Sequence, residues 1–387
     1  MTTSYPRFAG DSAGSFVHGL NRYLRRCGHD VTVVGAGDGL APRTEELDGV
    51  TVHRVPSSLF FHGGAPDALV EGFSRRPATT VWAAGRFSGE LLRQARNRLA
   101  HCDLIVSHWL VPSGVVATLI QGHRPHVAIA HSSDIHLLRR LRAERIGRWI
   151  SRQTRLVYSA EHLQIDDAPG VVVPMGIETC EFTATELERR LARQQLGLSR
   201  PTVLFMGRLV PVKGVEVLLT AMAQLSMRQP IELIVAGDGP AREPLIAAAR
   251  QKGLTCQFVG EVRGQGKRQL LWAADVLAVP SLTLADGRTE GSPVVIWEAL
   301  AAGCPVVAST VGGVALQLDD VGVLVPAADA PSLAAALERV LFDQALAADL
   351  REKGQKRALV ADWSNIAPRL LGDWFSTIGA HRTSVWQ

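Results

Sequence analysis

The feature that most constrains this chain is a series of short, largely apolar runs at regular intervals. In the second half they read Thr202-Val-Leu-Phe-Met206, Ile231-Glu-Leu-Ile-Val-Ala236, 255–259, 276–279 and 305–308. Such runs are continuous rather than alternating, which implies burial on both faces, as in a parallel sheet. Helix-like segments fall between them at 214–226, 241–252, 267–273, 293–302 and 331–342. The first half follows the same rhythm, with strands predicted at 30–34, 103–107, 126–130, 155–158 and 170–173. Helices are predicted there at 14–27, 84–98, 113–121 and 137–152. Strand–helix alternation of this kind defines an α/β fold with two doubly wound, Rossmann-like domains. Sheets of this type bind ligands at the carboxyl ends of their strands, so two that face each other would form a cleft.

A length of 387 residues suits two domains. The polar, Arg-rich stretch 183–200 reads as the linker region, giving domains at 1–185 and 186–361. The remainder, 362–387, has apolar positions at Ile366, Leu370, Leu371, Trp374 and Ile378, the spacing of an amphipathic helix. That helix either covers the second domain or returns to the first. Net charge is +4, too small an excess to point to nucleic acid. No apolar run reaches the roughly 18 residues needed to span a bilayer, and no signal peptide opens the chain. Five scattered cysteines without metal-type spacing suggest a reduced, cytoplasmic setting and no zinc site.

The richest segment for function is Glu290-Gly291-Ser292-Pro293-Val294-Val-Ile-Trp-Glu298. Ser292 is a good N-cap and Pro293 suits the first helical position. Gly303 closes the helix as a C′ residue. Glu290 then lies in the loop ahead of a helix and Glu298 within it. A helix start offers free N–H groups and a positive dipole end, a ready site for phosphate. Eight residues of helix advance about 12 Å. Carboxylates so placed suit two hydroxyl-bearing parts of one extended ligand with a phosphate between. The bland reading is a pair of ordinary helix glutamates.

Gly207-Arg208-Leu-Val-Pro-Val-Lys213-Gly214 follows the run at 202–206. Cations at the carboxyl end of a strand suit a diphosphate, Arg208 as a fork and Lys213 as a point charge. Ala236-Gly-Asp-Gly-Pro240 reads as a turn or a close backbone approach. Gly10-Asp-Ser-Ala-Gly14 precedes the first helix without forming a dinucleotide fingerprint. His131-Ser-Ser-Asp134 follows a strand; His131 is read as facing ligand and Asp134 as a helix cap, with His108 less certain. Seven arginines crowd 139–155 against the single acid Glu144. That segment is either a solvated helix face or a peripheral contact with an anionic membrane. No Asp-x-Asp pair occurs, so a divalent-metal clamp on a diphosphate is not expected.

At these residues the chain resembles the retaining glycosyltransferases of the GT-B fold, family 4 (glycosyl transferases group 1). Gly207-Arg208 with Lys213-Gly214, Ala236-Gly-Asp-Gly-Pro240, Glu290 with Glu298, and Gly303-Cys-Pro-Val-Val with Gly312-Gly313 stand in that family's order and spacing. The resemblance implies that Arg208 and Lys213 bind diphosphate, Glu290 the sugar hydroxyls and Glu298 the ribose. It also implies His131 near the donor sugar, Gly14 near the donor phosphates, and a last helix that crosses back to the first domain. Backbone contacts near 261–263, Val262 among them, would help choose the donor. Met175 stands where Asn is usual, and Ser132-Ser133 where glycine follows the histidine.

The sequence thus predicts an enzyme that moves a sugar from a nucleoside-diphosphate-sugar to an acceptor glycan, lipid or small molecule, with retention and without a cofactor. The alternatives are an epimerase or phosphorylase of the same fold, or a non-catalytic nucleotide-sugar-binding protein. A phosphorylase would need a pyridoxal-phosphate lysine, and lysines are few. The family opens on a full apolar strand, whereas this chain starts at Met1-Thr-Thr-Ser4. The expectation is that residues 1–4 supply at most a stub and that further residues lie upstream.

Overall fold

The computed structural model describes residues 1–8, 10–11, 13–57 and 77–374. The chain divides into two compact units, one of Met1–Gly176 with the segment from Trp363, the other Ile177–Asp362.

The first unit holds a parallel ladder of β4 (Ile105–His108), β5 (His126–Ala130), β6 (Arg155–Tyr158) and β7 (Val171–Val172), in that order. A second ladder runs β1 (Thr32–Gly37), β3 (Val50–Pro56), β2 (Thr44–Leu47), with β2 antiparallel. Met1 and Thr2 lie between the two ladders. Thr2 donates to the Val34 carbonyl and accepts from Ala36 N–H, while the Met1 carbonyl accepts from His108 N–H. These two residues therefore pair with both ladders. Residues 126–130 and 155–158 are strands with the expected bounds. The hairpin β2–β3 was not anticipated: its outer strand, Thr-Glu-Glu-Leu, is polar and lacks an apolar run.

The helix expected at 137–152 is two helices, Ser132–Arg140 and Arg145–Ser151. The break falls where Arg142 adopts a φ of 51°. The helix Trp363–Leu371 belongs to this unit and buries Trp363, Ile366, Leu370 and Leu371. Trp363 lies against Gly176, and its ring nitrogen against Gly19 of the helix Ser15–Arg26. Ile378, the last position of the predicted apolar stripe, lies outside the described residues.

The second unit has one six-stranded parallel sheet, ordered β10 (Cys256–Gly260), β9 (Glu232–Ala236), β8 (Thr202–Met206), β11 (Val276–Val279), β12 (Val306–Ser309), β13 (Val323–Val325). Every residue of β8, β11 and β12 is buried, as continuous apolar runs require. Helices cover both faces, and the core divides accordingly into two clusters around Leu204 and Val203.

The stretch read as a linker is not one. Residues Glu186–Gln195 form a helix opened by a capping box, in which Thr185 accepts from Glu188 N–H and Glu188 accepts from Thr185 N–H. Arg189 of this helix is buried, donating to the Gly303 and Trp272 carbonyls. Arg193 bonds Asp275 at 2.8 Å. The division between units therefore falls at Gly176 and Ile177 rather than at 185. Arg189 and Arg193, which helped give the segment its polar look, are anchors within the second unit.

Candidate active site

In the second unit the signalled residues gather at the carboxyl ends of β8, β11 and β12, which are neighbours in the sheet. The loop after β8 begins at Gly207, whose N–H bonds the Ala236 carbonyl at 3.0 Å, and carries half-buried Arg208. It then turns through a short helical segment, Pro211–Lys213. Gly214 follows with a φ of 64°, and a Cβ there would come within 1.9 Å of the Pro280 carbonyl oxygen. Only glycine fits a left-handed position pressed against backbone. This contact, with the Leu282 N–H to Val212 carbonyl bond of 2.8 Å, fastens the β8 loop to the β11 loop.

The β11 loop carries Glu290. Its Oε1 lies 2.7 Å from Lys213 Nζ, so the expected diphosphate cation and the expected sugar carboxylate are paired. Buried Gly291 accepts from Gly313 N–H at 3.0 Å, tying the same loop to the segment after β12.

The helix that follows is Val294–Ala301, one residue later than predicted. Pro293, with a ψ of 114°, stands at the N-cap, and Ser292 does not cap. Proline's ring holds φ but leaves ψ free, so the extended ψ puts Pro293 outside the helix. The Ser292 hydroxyl has no hydrogen-bond partner, and the helix start has no side-chain cap. Its far end is as expected: Gly303 N–H bonds the Leu300 carbonyl and Cys304 N–H that of Ala299, a Schellman pattern.

Glu298 lies within this helix and is only 6% exposed. One carboxylate oxygen, Oε1, is 2.5 Å from Lys267 Nζ. The other, Oε2, is buried without a partner. Lys267 belongs to the helix Gly264–Ala273, just beyond half-buried Val262. Sequence reading missed this lysine; a cation three residues into a helix carries no signal of its own.

In the first unit His131 directly follows β5 and is the N-cap of the helix Ser132–Arg140. Asp134 is the third residue of this helix rather than the cap it was read as; its carboxylate accepts from the N–H of the N-cap His131 at 2.8 Å and from Leu110 N–H at 2.5 Å. Burial pushes Asp134 up to about 7, against those N–H bonds. His131 Nε2 faces His108 Nδ1 at 3.2 Å, and the two rings stack at 5.4 Å. Trp109 and Phe16 flank His131, with ring centres 4.7 and 5.1 Å away. Burial pushes His131 down to about 3. Burial, then the neighbouring His131, hold His108 well below its ordinary value. Both imidazoles are therefore neutral near pH 7 and suit hydrogen bonding rather than ion pairing. Gly14 is the N-cap of the helix Ser15–Arg26, with a φ of 65°, and a Cβ there would clash with the Ser4 carbonyl.

The Arg-rich segment is partly spent on backbone. Arg139 donates to the His162 and Gln164 carbonyls, and Arg155 to those of Leu370 and Arg369. Among the described residues no helix is long and apolar enough to cross a membrane. Among them, too, no cluster of three His, Cys, Asp or Glu could hold a metal ion.

A parallel α/β fold with glutamates, a lysine and an arginine at its strand ends has the chemistry to hold an anionic, hydroxyl-bearing ligand. Residues 188–357 match the model of the glycosyl transferases group 1, and residues 13–179 that of glycosyltransferase family 4. The chain is 31% identical to a D-inositol 3-phosphate glycosyltransferase of Salinispora arenicola, over 96% of this chain and 89% of that one. Among solved structures it resembles sucrose-phosphate synthase from Thermosynechococcus elongatus, with a TM-score of 0.77 at 23% identity, covering 96% of each chain. It also resembles Anabaena HepE in complex with UDP-glucose, with a TM-score of 0.70 at 18% identity, covering 97% of this chain and 98% of that one. The chain belongs to the family 4 glycosyltransferases of glycosyl transferases group 1, with the GT-B fold, and is a sugar-transferring enzyme.

Proposed function

We propose that this enzyme transfers a sugar from a nucleoside-diphosphate-sugar to an acceptor hydroxyl with retention of configuration. The observation that carries the reading is the buried carboxylate of Glu298, with Oε2 unpartnered, four residues into a helix whose start is uncapped. An uncapped helix start suits a phosphate, and an orphan carboxylate oxygen suits a ribose hydroxyl. The two lie on one element, as a nucleoside diphosphate requires. HepE, a structural neighbour, has been crystallised with UDP-glucose.

In this reading Arg208, Lys213 and the start of the 294–301 helix hold the diphosphate, with Gly207, Gly291, Ser292, Pro293 and Val294 lining its path. Val262 lies at the nucleoside. Glu290 accepts from hydroxyls of the transferred sugar. Charge on the diphosphate grows as the glycosidic bond breaks, so preorganised donors there lower the barrier. The acceptor attacks from the leaving-group face and its proton passes to the departing diphosphate. No metal is required for this sequence of steps. His131, directly after β5, is proposed as a neutral hydrogen-bonding group for donor sugar, and Gly14 as a point where donor phosphate approaches backbone.

The test is a thermal-shift screen against UDP-, GDP- and ADP-sugars, followed by transfer with the best donor. A donor at 100 times its dissociation constant should stabilise the chain by about 2.7 kcal/mol. Proton NMR of the product should give the donor's anomeric configuration; the inverted anomer would overturn retention, and no shift with any nucleotide-sugar would overturn the donor class.

A further inference from the structure

We infer that Lys267 is a positioning residue for the nucleoside: it holds Glu298 so that the carboxylate oxygen Oε2 accepts the vicinal hydroxyls of ribose. This rests on the donor reading above and deepens it.

Three observations meet at this pair. Glu298 is 6% exposed, yet its two oxygens are treated differently: Lys267 Nζ stands 2.5 Å from Oε1, and Oε2 is buried with nothing to accept from. An orphan acceptor on a buried carboxylate is costly and calls for a donor. Hydroxyl groups supply that donor without a second charge. The lysine itself is held. Its N–H bonds the Arg263 carbonyl at 3.2 Å, and its ammonium stands 5.8 Å from the centre of the Phe182 ring. Phe182 is fixed in turn, its carbonyl accepting from the Trp272 indole 2.5 Å away. The side chain of Lys267 nevertheless remains 27% exposed, so the ammonium meets solvent on its outer side.

The chemistry follows from which groups can accept and which can donate. An ammonium has three donors and no acceptor. With one N–H on Oε1, Lys267 orients the carboxylate plane. Oε2 is then the carboxylate oxygen left to accept from a ligand. A diol with two O–H donors on adjacent carbons can share that single oxygen or divide between the two oxygens. Loss of the lysine would leave the carboxylate free to rotate and its charge unbalanced in a buried site, and the cost would fall on diol recognition rather than on phosphate binding.

The experiment uses the full chain and isothermal titration. UDP, GDP and ADP are compared, and the tightest binder is taken forward with its 2′,3′-dideoxy analogue. The parent should bind the analogue about tenfold or more weakly, the worth of one charge-assisted bond. Lys267→Met should bind the natural nucleotide about tenfold more weakly than the parent, and removing the diol should then cost it less than about twofold more. Lys267→Arg should restore part of the diol preference, which loss of bulk alone would not do. Lys267→Gln repeats the comparison if methionine unfolds the chain. The proposal falls if the Met or Gln variant binds within twofold of the parent, or keeps the parent's full diol penalty. It also falls if the parent binds the dideoxy analogue as well as the natural nucleotide. A parent that binds no nucleotide at all sinks the donor reading beneath it, a result distinct from the others.

Discussion

Lys213 and Glu290 meet as an ion pair, Nζ to Oε1 at 2.7 Å, although they come from the loops of different strands. Both side chains are largely buried, 21% and 12% exposed. The contact brings a cation suited to diphosphate and a carboxylate suited to sugar hydroxyls to hydrogen-bond distance of each other. In the proposed reading a donor sugar-diphosphate would span that junction, and each partner would exchange the other for its own end of the ligand.

Glu290→Gln should therefore keep the fold and the affinity for nucleoside diphosphate while transfer falls. The amide keeps the shape but loses charge-assisted bonds of about 1.5–3 kcal/mol, roughly 10- to 150-fold in rate. Initial rates and calorimetric binding of the diphosphate check this together. Transfer within threefold of the parent would remove Glu290 from the sugar.

Arg208→Ala and Lys213→Ala should lower kcat by a larger factor than they raise the donor KM. Their charge matters most as the diphosphate departs. Incubation with EDTA should leave the parent's rate nearly unchanged, since no Asp-x-Asp pair exists to hold a divalent clamp. Activity abolished by chelator and restored by manganese would contradict this.

Acid should destabilise the first unit. Burial holds His126 and His131 at about 3, below their ordinary 6.5, so each favours the folded chain above 6.5 and loses that contribution as pH falls toward 3. His108 acts in the same sense. Asp134 opposes them: raised from 3.8 to about 7, it favours the folded chain at low pH and loses that contribution as pH rises through 7. Three histidines outweigh one acid between these limits, and each uncompensated proton is worth about 1.4 kcal/mol per pH unit. Thermal unfolding at pH 5.5 should begin several degrees below that at pH 7.5. His126→Gln, which replaces an imidazole bonded to Ser107 at 2.7 Å, should flatten the dependence. A chain equally stable at both pH values would refute the account.

Gly214→Ala should damage both stability and turnover. The new Cβ would meet the Pro280 carbonyl at 1.9 Å from a left-handed backbone, so the loop must shift. Strain of this kind costs about 1–3 kcal/mol. Lys213 is the preceding residue and would move with it. Urea midpoints and kcat test the pair of effects; an unchanged midpoint would show that the two loops separate without cost.

The sequence by itself determined the parallel sheets, because a strand buried on both faces must be apolar throughout, and 202–206, 126–130 and 276–279 are. It also placed the Gly303 helix end and marked Arg208, Lys213, Glu290 and Glu298, because glycines and charges at strand ends are local signals. Tertiary structure decided what local signals do not carry. The 186–195 helix hid behind its arginines, whose partners are carbonyls of distant residues. The polar strand Thr44–Leu47 exists only because Val50–Pro56 pairs with it. Pro293 rather than Ser292 is the N-cap of the 294–301 helix because a ψ angle, invisible in composition, fixes where helical bonding starts. The pairing of Lys267 with Glu298 joins two separate helices and that of Lys213 with Glu290 two separate loops, and only the folding of those elements onto one sheet brings their charges together.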